Sequence, residues 1–102
     1  MPFTYRTEER DGEIRISLHG EMGYDDLRYS AQEIRKCADD HPSSIVVDLS
    51  NVTYLGEDGM AFLLSMYRTA HQHGIPIYLE GAKGRVAERM HRAGFDQVFA
   101  HH

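Results

Sequence analysis

Asp11-Gly12 lies between two runs, FTYRTEE and EIRISLHG, that each alternate apolar and polar residues. Alternation at period two marks a strand with one buried face, and Asp-Gly supplies the backbone freedom that a two-residue hairpin turn demands. The chain must therefore open as an antiparallel hairpin, with Phe3, Tyr5, Ile14, Ile16 and Leu18 on one side. No other feature restricts the possible folds as much.

Beyond the hairpin the period changes. Tyr24, Leu27, Ala31, Ile34 and Ala38 recur at three and four, a helical stripe with Asp25 and Asp26 in its first turn and Arg35 and Lys36 near its end, as the helix dipole favours. DDHPSS breaks that helix. SIVVDLS then reads as a short strand rich in β-branched residues and covered on both faces. A second helical face runs through Met60, Leu63, Leu64, Tyr67 and Ala70 and stops at Gly74, with Pro76 beyond. IPIYLEG is another strand, and residues 83–93 form a third amphipathic helix through Val86, Ala87 and Met90, halted by Gly94. FDQVFA is a last short strand or a helical turn. A hairpin followed by strand–helix units implies an α/β fold: a mixed sheet, mainly parallel in its later part, with helices packed on it.

The length of 102 residues suits one hydrophobic core and one domain, over residues 1–100, with His101-His102 set aside as a native tail or the remnant of a purification tag. A formal net charge of −5 with no compensating basic stretch argues against a grip on nucleic-acid phosphates. No run approaches the ~18 apolar residues of a membrane span, and MPFTYRTEERDGE is not a signal peptide. Cys37 is the one cysteine, which excludes an internal disulfide and suits a reducing cytoplasm. It has no Cys-x-x-Cys partner and reads as a small apolar filler.

Function tends to gather where strand ends meet helix starts in such sheets, and YLGEDGMAFL occupies such a place. Glu57 and Asp58, between Gly56 and Gly59, have a plain structural reading: acids in a first turn contribute about 0.3–1 kcal/mol through the dipole, and Asp is a good N-cap. With Asp48 they could offer oxygens to a cation, but the repeated acidic ligands and terminal Glu of a calcium loop are lacking. His71 and His73 are two apart and so point to different sides of their helix. Ser50 and Thr53 suit a turn and short step after the strand, where hydroxyls bond backbone groups. GAKGR is a small basic loop without the Walker spacing of a phosphate cradle. There is no nucleophile–base pair, metal set or paired catalytic carboxylates beyond the adjacent Glu57 and Asp58. The residues therefore point away from an enzyme and imply neither metal nor cofactor.

The segment IVVDLSNVTYLGEDGMAFLLSMYRTAHQHGIPIYLEG resembles the core of STAS domains of the anti-sigma-factor-antagonist type. Members carry an apolar strand ending in Asp-Leu-Ser, a short step, an Asp-Ser-Ser-Gly turn and an apolar helix. Here the counterparts are Asp48-Leu49-Ser50, Val52-Thr53-Tyr54, Gly56-Glu57-Asp58-Gly59 and the helix from Met60, and KGRVAERMHRAGFDQVF matches the closing segment. The resemblance implies a bacterial, cytoplasmic partner-switching protein. It would dock on an anti-sigma factor that is also a serine kinase and be released when the first serine of the turn is phosphorylated. A phosphate there brings about −1.5 to −2 charges into the contact surface.

Of that turn only Gly59 is retained. The phosphoserine position is Glu57, which has no hydroxyl, so the negative charge is built in and the usual modification is impossible. The reading is a protein–protein regulatory module. Glu57 is its phosphosite equivalent, residues 56–59 its switch turn, Asp48 and Ser50 the supporting strand end, and Met60, Phe62 and Met66 its docking surface. Two alternatives remain open: a constitutive STAS subunit of a transporter or signalling assembly, or a sensor binding a small ligand or nucleotide near GAKGR.

Overall fold

The computed structural model describes residues 3–23, 32, 36–37 and 39–99. The helical stripe expected from Tyr24 to Ala38 lies mostly outside the described residues, although Gln32, Lys36, Cys37 and Asp39 are helical. Strands β1 (Thr4–Arg10), β2 (Glu13–Met22), β3 (Ser44–Leu55) and β4 (Ile77–Glu80) form one sheet in that order. β1 and β2 are antiparallel, and β2, β3 and β4 run parallel. The mixed sheet expected from the sequence is therefore present.

The hairpin forms for the reason its sequence suggests. Asp11 and Gly12 adopt φ of 54° and 84°, the left-handed pair of a tight turn whose twist matches the strands. Tyr5 falls opposite Leu18 and Thr7 opposite Ile16. Ile14, Ile16 and Leu18 enter the core, and Phe3 and Tyr5 pack against it.

Helix α1 (Glu57–Gln72) follows β3, and α2 (Gly84–Arg92) follows β4. The last segment is a single helical turn, α3 (Phe95–Val98), rather than a strand. Residues Phe62, Leu63, Met66 and Ala70 of α1, Val86 and Met90 of α2, and Phe95 of α3 share one core with the inward residues of the strands. The helices therefore cover the same sheet face. Helix α1 ends as Gly74 predicts: with φ at +69° it lets Ile75 N–H donate to the Ala70 carbonyl at 2.9 Å, a Schellman closure.

Two sequence expectations need correction here. Strand β3 does not stop at Ser50 but continues to Leu55. Its pairing with β2 slips twice, so that Ser17 faces Asp48 while His19 faces Asn51, and Gly20 faces Val52 while Glu21 faces Tyr54. Each slip inserts an extra residue, as β-bulges do, and breaks the alternation by which a strand is recognised. The bulges also return Val52 and Leu55 to the core after Leu49. Asp48 and Ser50 are consequently mid-strand residues, not the strand's end.

The second correction concerns α1. Phe62 and Met66, expected on a docking surface, are buried at 4% and 5% exposure. The helix is apolar around roughly half its circumference, and periodicity alone does not choose which part faces the sheet. The chosen stripe runs through Gly59, Phe62, Leu63, Met66 and Ala70. Met60, Leu64 and Tyr67 form its half-buried flank, where Tyr67 meets Phe99 edge-on at 5.4 Å.

Gly59 explains how α1 seats so closely. A Cβ there would lie 2.2 Å from the Met22 carbonyl oxygen, 2.7 Å from Met22 Cβ and 2.8 Å from Leu55 Cδ1. A backbone atom cannot yield as a side-chain tip can. Gly59→Ala is expected to destabilise the fold by about 1–3 kcal/mol, the usual cost of overpacking. Urea unfolding checks this; a stability equal to that of the wild type would show that the helix can lift without loss.

Candidate functional site

The candidate site is built where β3 hands the chain to α1. Leu55 is the last inward residue of β3, and Gly56 is the N-cap of α1, with extended backbone. Gly56 N–H donates to the Met22 carbonyl at 3.0 Å, and its own carbonyl accepts the first helical bond from Met60 N–H at 3.0 Å. The turn is thus tied by backbone bonds to the end of β2 before any side chain acts.

Gly56 has no side chain to cap the helix, so neither acid serves as the N-cap. Glu57 and Asp58 instead occupy the first turn, where they favourably meet the positive end of the dipole. Both are exposed. Their carboxylates face solvent. The Tyr54 ring lies over the same turn: a Cβ on either Gly23 or Gly56 would come 3.0 Å from its Cε2. At 53% exposure, Tyr54 is an unusually open aromatic residue beside the acids.

Beyond Tyr54 lies a groove of about 620 Å³ between the end of β3, the start of α1 and α2. Tyr54, Leu55, Met60 and Val86 form apolar walls, while Arg85 and Arg89 line its α2 side. Of the three residues expected to dock a partner, Met60 alone remains half-exposed and lines this groove. Sequence reading passed over Tyr54 and Arg89 and met Arg85 only as the end of the basic GAKGR loop. Tyr54 was hidden by the second bulge, whereas the i, i+4 spacing of Arg85 and Arg89 places both on one side of α2 and was legible.

Asp48 and Ser50 belong elsewhere. The stretch from Asp48 to Leu55 spans roughly 20 Å at about 3.3 Å per residue, so these residues do not join the turn. Asp48 Oδ1 accepts from Ser50 N–H at 2.9 Å, and Oδ2 lies 3.9 Å from Arg15 Nη1. Arg15 also pairs with Glu80, so one guanidinium links β2 to β3 and β4. Its hydrogen bond to Glu80 is the main reason its pKa rises further above the usual range. For Asp48, burial is the largest single influence and opposes ionisation. The Ser50 N–H and hydroxyl, with Arg15 and His19, together outweigh it and hold the carboxyl below the usual aspartate range. Gly81 completes this cluster with φ at +80°; a Cβ there would lie 2.8 Å from Asp48 Oδ1 and 3.0 Å from Ser50 Cβ. GAKGR thus braces β3 at Asp48 and Ser50.

His71 and His73 have local roles. His71 stacks on Tyr67 with ring centroids 5.8 Å apart, while His73 turns its Nδ1 to the Thr69 carbonyl at 2.8 Å and its Nε2 towards Asp39 at 3.4 Å. Among the described residues no group of three or more His, Cys, Asp or Glu converges as metal ligands would. Cys37 is half-buried against the core. Among the described residues no helix is long and apolar enough to cross a membrane.

This hairpin-led mixed sheet, with an acidic turn opening α1, is a small α/β domain whose fold resembles that of anti-sigma-factor antagonists. The family model described as "Mlab, STAS domain" matches residues 5–100, and the chain belongs to the STAS family. Among solved structures, an anti-sigma factor antagonist from Mycobacterium paratuberculosis is 27% identical with a TM-score of 0.80, over 99% of this chain and 86% of that one. RsbS from Moorella thermoacetica, in a serine-to-glutamate variant, is 19% identical with a TM-score of 0.80 over 96% of this chain and 85% of that one. A sulfate transporter family protein from Wolinella succinogenes is 17% identical with a TM-score of 0.73 over 89% of this chain and 74% of that one. No curated protein matches the chain by sequence.

The lowered pKa of Asp48 makes a signed prediction. Its ionised form stabilises the fold fully above the ordinary aspartate pKa of about 3.9 and loses that effect as pH falls through the lower folded value. Urea unfolding should therefore show wild type more stable than Asp48→Asn at neutral pH, with the gap closing below about pH 4. A gap independent of pH would assign the loss to geometry rather than charge.

Proposed function

We propose that this chain is a non-catalytic protein-docking module of the anti-sigma-factor-antagonist type, with a permanent negative charge at the position where relatives carry a reversible phosphate. One observation carries the reading. Glu57 is the first residue of α1, exposed and set between Gly56 and Gly59. The resemblance aligns that position with the switch serine, and a carboxylate cannot be phosphorylated as serine is. Its single charge is about half to two-thirds of a phosphate's, so Glu57 imitates the modified state incompletely. The partner is an anti-sigma factor with a serine-kinase fold or a related signalling protein, and Glu57 keeps the domain in its released state. The bacterial partner-switching role, with transcription as its output and a cytoplasmic location, follows from this reading.

A second reading has its own support. A fixed charge cannot cycle, which suits a constitutive subunit of a larger assembly. The likeness to a sulfate transporter family protein supplies a precedent for the fold outside antagonists. For the nucleotide-sensor alternative the described structure adds no specific support: Gly81 of GAKGR packs against Asp48 and Ser50, and no phosphate cradle forms around it.

The deciding experiment is affinity capture from the native cell with wild-type and Glu57→Ser baits, followed by mass spectrometry and a phosphorylation assay on the captured kinase. Removing a like charge from an interface recovers several kcal/mol, so Glu57→Ser should bind at least about tenfold tighter and become phosphorylated at residue 57. Tight kinase binding by wild type, unchanged by Glu57→Ser, would overturn the locked state. Stable co-purification of both baits with a non-kinase assembly favours the constitutive reading.

A further inference from the structure

The groove beside the turn has a composition that the turn does not explain. It is basic in a chain of net charge −5, because Arg85, Arg89 and Arg92 line it together with Glu88. Arg92 is partly neutralised by Glu88 at 2.6 Å. Arg85 and Arg89 are exposed and make no ion pair among the described residues. Arg85 also stands in the first turn of α2, where no acid accompanies it and a positive charge opposes the helix dipole. Helix stability therefore gives no reason for a cation there. Between the guanidiniums and the start of α1 lie the exposed Tyr54 ring, the half-buried Met60 and the buried Leu55 and Val86. An aromatic ring, a methionine and unpaired arginines are the residues most enriched at protein contacts.

We infer that this groove docks an acidic peptide segment of a partner protein, anchored by one or two apolar side chains. The anchor would cover Tyr54, Met60 and Val86, and flanking carboxylates would pair with Arg85 and Arg89 in bidentate fashion. The groove opens to solvent along α2, whereas a small molecule requires a cavity that encloses most of its surface. Charge complementarity selects an acidic occupant, and a second copy of this chain could bring only its own acidic stretches. The inference rests on the reading of the domain as a protein-docking module and specifies the chemistry of the partner's contacting segment. It does not depend on Glu57 being a locked switch.

The test uses short fluorescein-labelled peptides in anisotropy titrations against the full chain: one acidic with paired leucines, one with the acids changed to lysine, and one with the leucines changed to serine. The acidic, leucine-bearing peptide should bind tightest, weaken as salt rises, and shift the amide resonances of Tyr54, Met60, Arg85 and Arg89. The double variant Arg85→Glu/Arg89→Glu should lower its affinity at least tenfold while melting like wild type, since both side chains are exposed. Equal binding of the lysine peptide, shifts elsewhere on the domain, or affinity unchanged by the double reversal would overturn the proposal. So would self-association that the reversal abolishes, or saturation of the groove by ATP with no peptide binding. If Glu57→Ser gains no kinase while the peptide result holds, the locked-switch reading falls and the groove stands. If the capture result holds and the peptides fail, only the groove falls.

Discussion

The contact between Gly59 and the end of β2 fixes the rest of the functional surface. Helix α1 can start where it does only because nothing projects from Gly59 toward the Met22 carbonyl. The same carbonyl accepts the Gly56 N–H, so one peptide group of β2 receives the turn and also bounds the helix's approach. Glu57 and Asp58 are then forced outward, because the side of the first turn that faces the sheet is already filled by backbone. The acids are exposed as a consequence of packing. Glycine at position 59 serves closure of the helix on the sheet.

The sheet was legible in the sequence because its first two strands obey a strict period of two, and Asp11-Gly12 has no other comfortable geometry than the turn it makes. The region after Asp48 was not, for a physical reason. Two extra residues in β3 shift its inward positions from Leu49 to Val52 and then Leu55, steps of three that break the strand period of two. A reader of SNVTYL therefore meets a turn where the chain continues as a strand. The same misreading placed Asp48 and Ser50 beside the switch, when they close an ion-pair cluster with Arg15 and Glu80 in mid-sheet. Helix α1 failed differently. Its apolar residues were read correctly, but a helix apolar over half its circumference can present either edge to the sheet. Only the tertiary contact decides that Phe62 and Met66 go in and Met60 stays out.

The two charged features of the domain have different physical characters. Asp48, Arg15 and Glu80 are partly buried and mutually bonded, so their charges are spent on one another and on Ser50. Such a cluster fixes the alignment of the parallel strands and has little left to offer a ligand. Glu57, Asp58, Arg85 and Arg89 are exposed and are not consumed in this way. An exposed charge contributes little to stability, and its value lies in steering and discriminating partners. The division places mutually paired charges in the sheet and solvent-facing charges on the helices.

Met60 joins the acidic turn to the basic groove, one helical turn from Glu57 and in the groove wall. A partner approaching this surface meets negative charge on one side of Met60 and positive charge on the other. Uniform charge on the partner would be attracted at one place and repelled at the other. On the proposed reading, the partner's acidic segment enters the groove, with an apolar group at Met60, and any part of it that reaches the turn avoids further negative charge. Here the carboxylate of Glu57 makes the pattern permanent. On the proposed reading, a partner surface built to meet an uncharged serine would be repelled by Glu57.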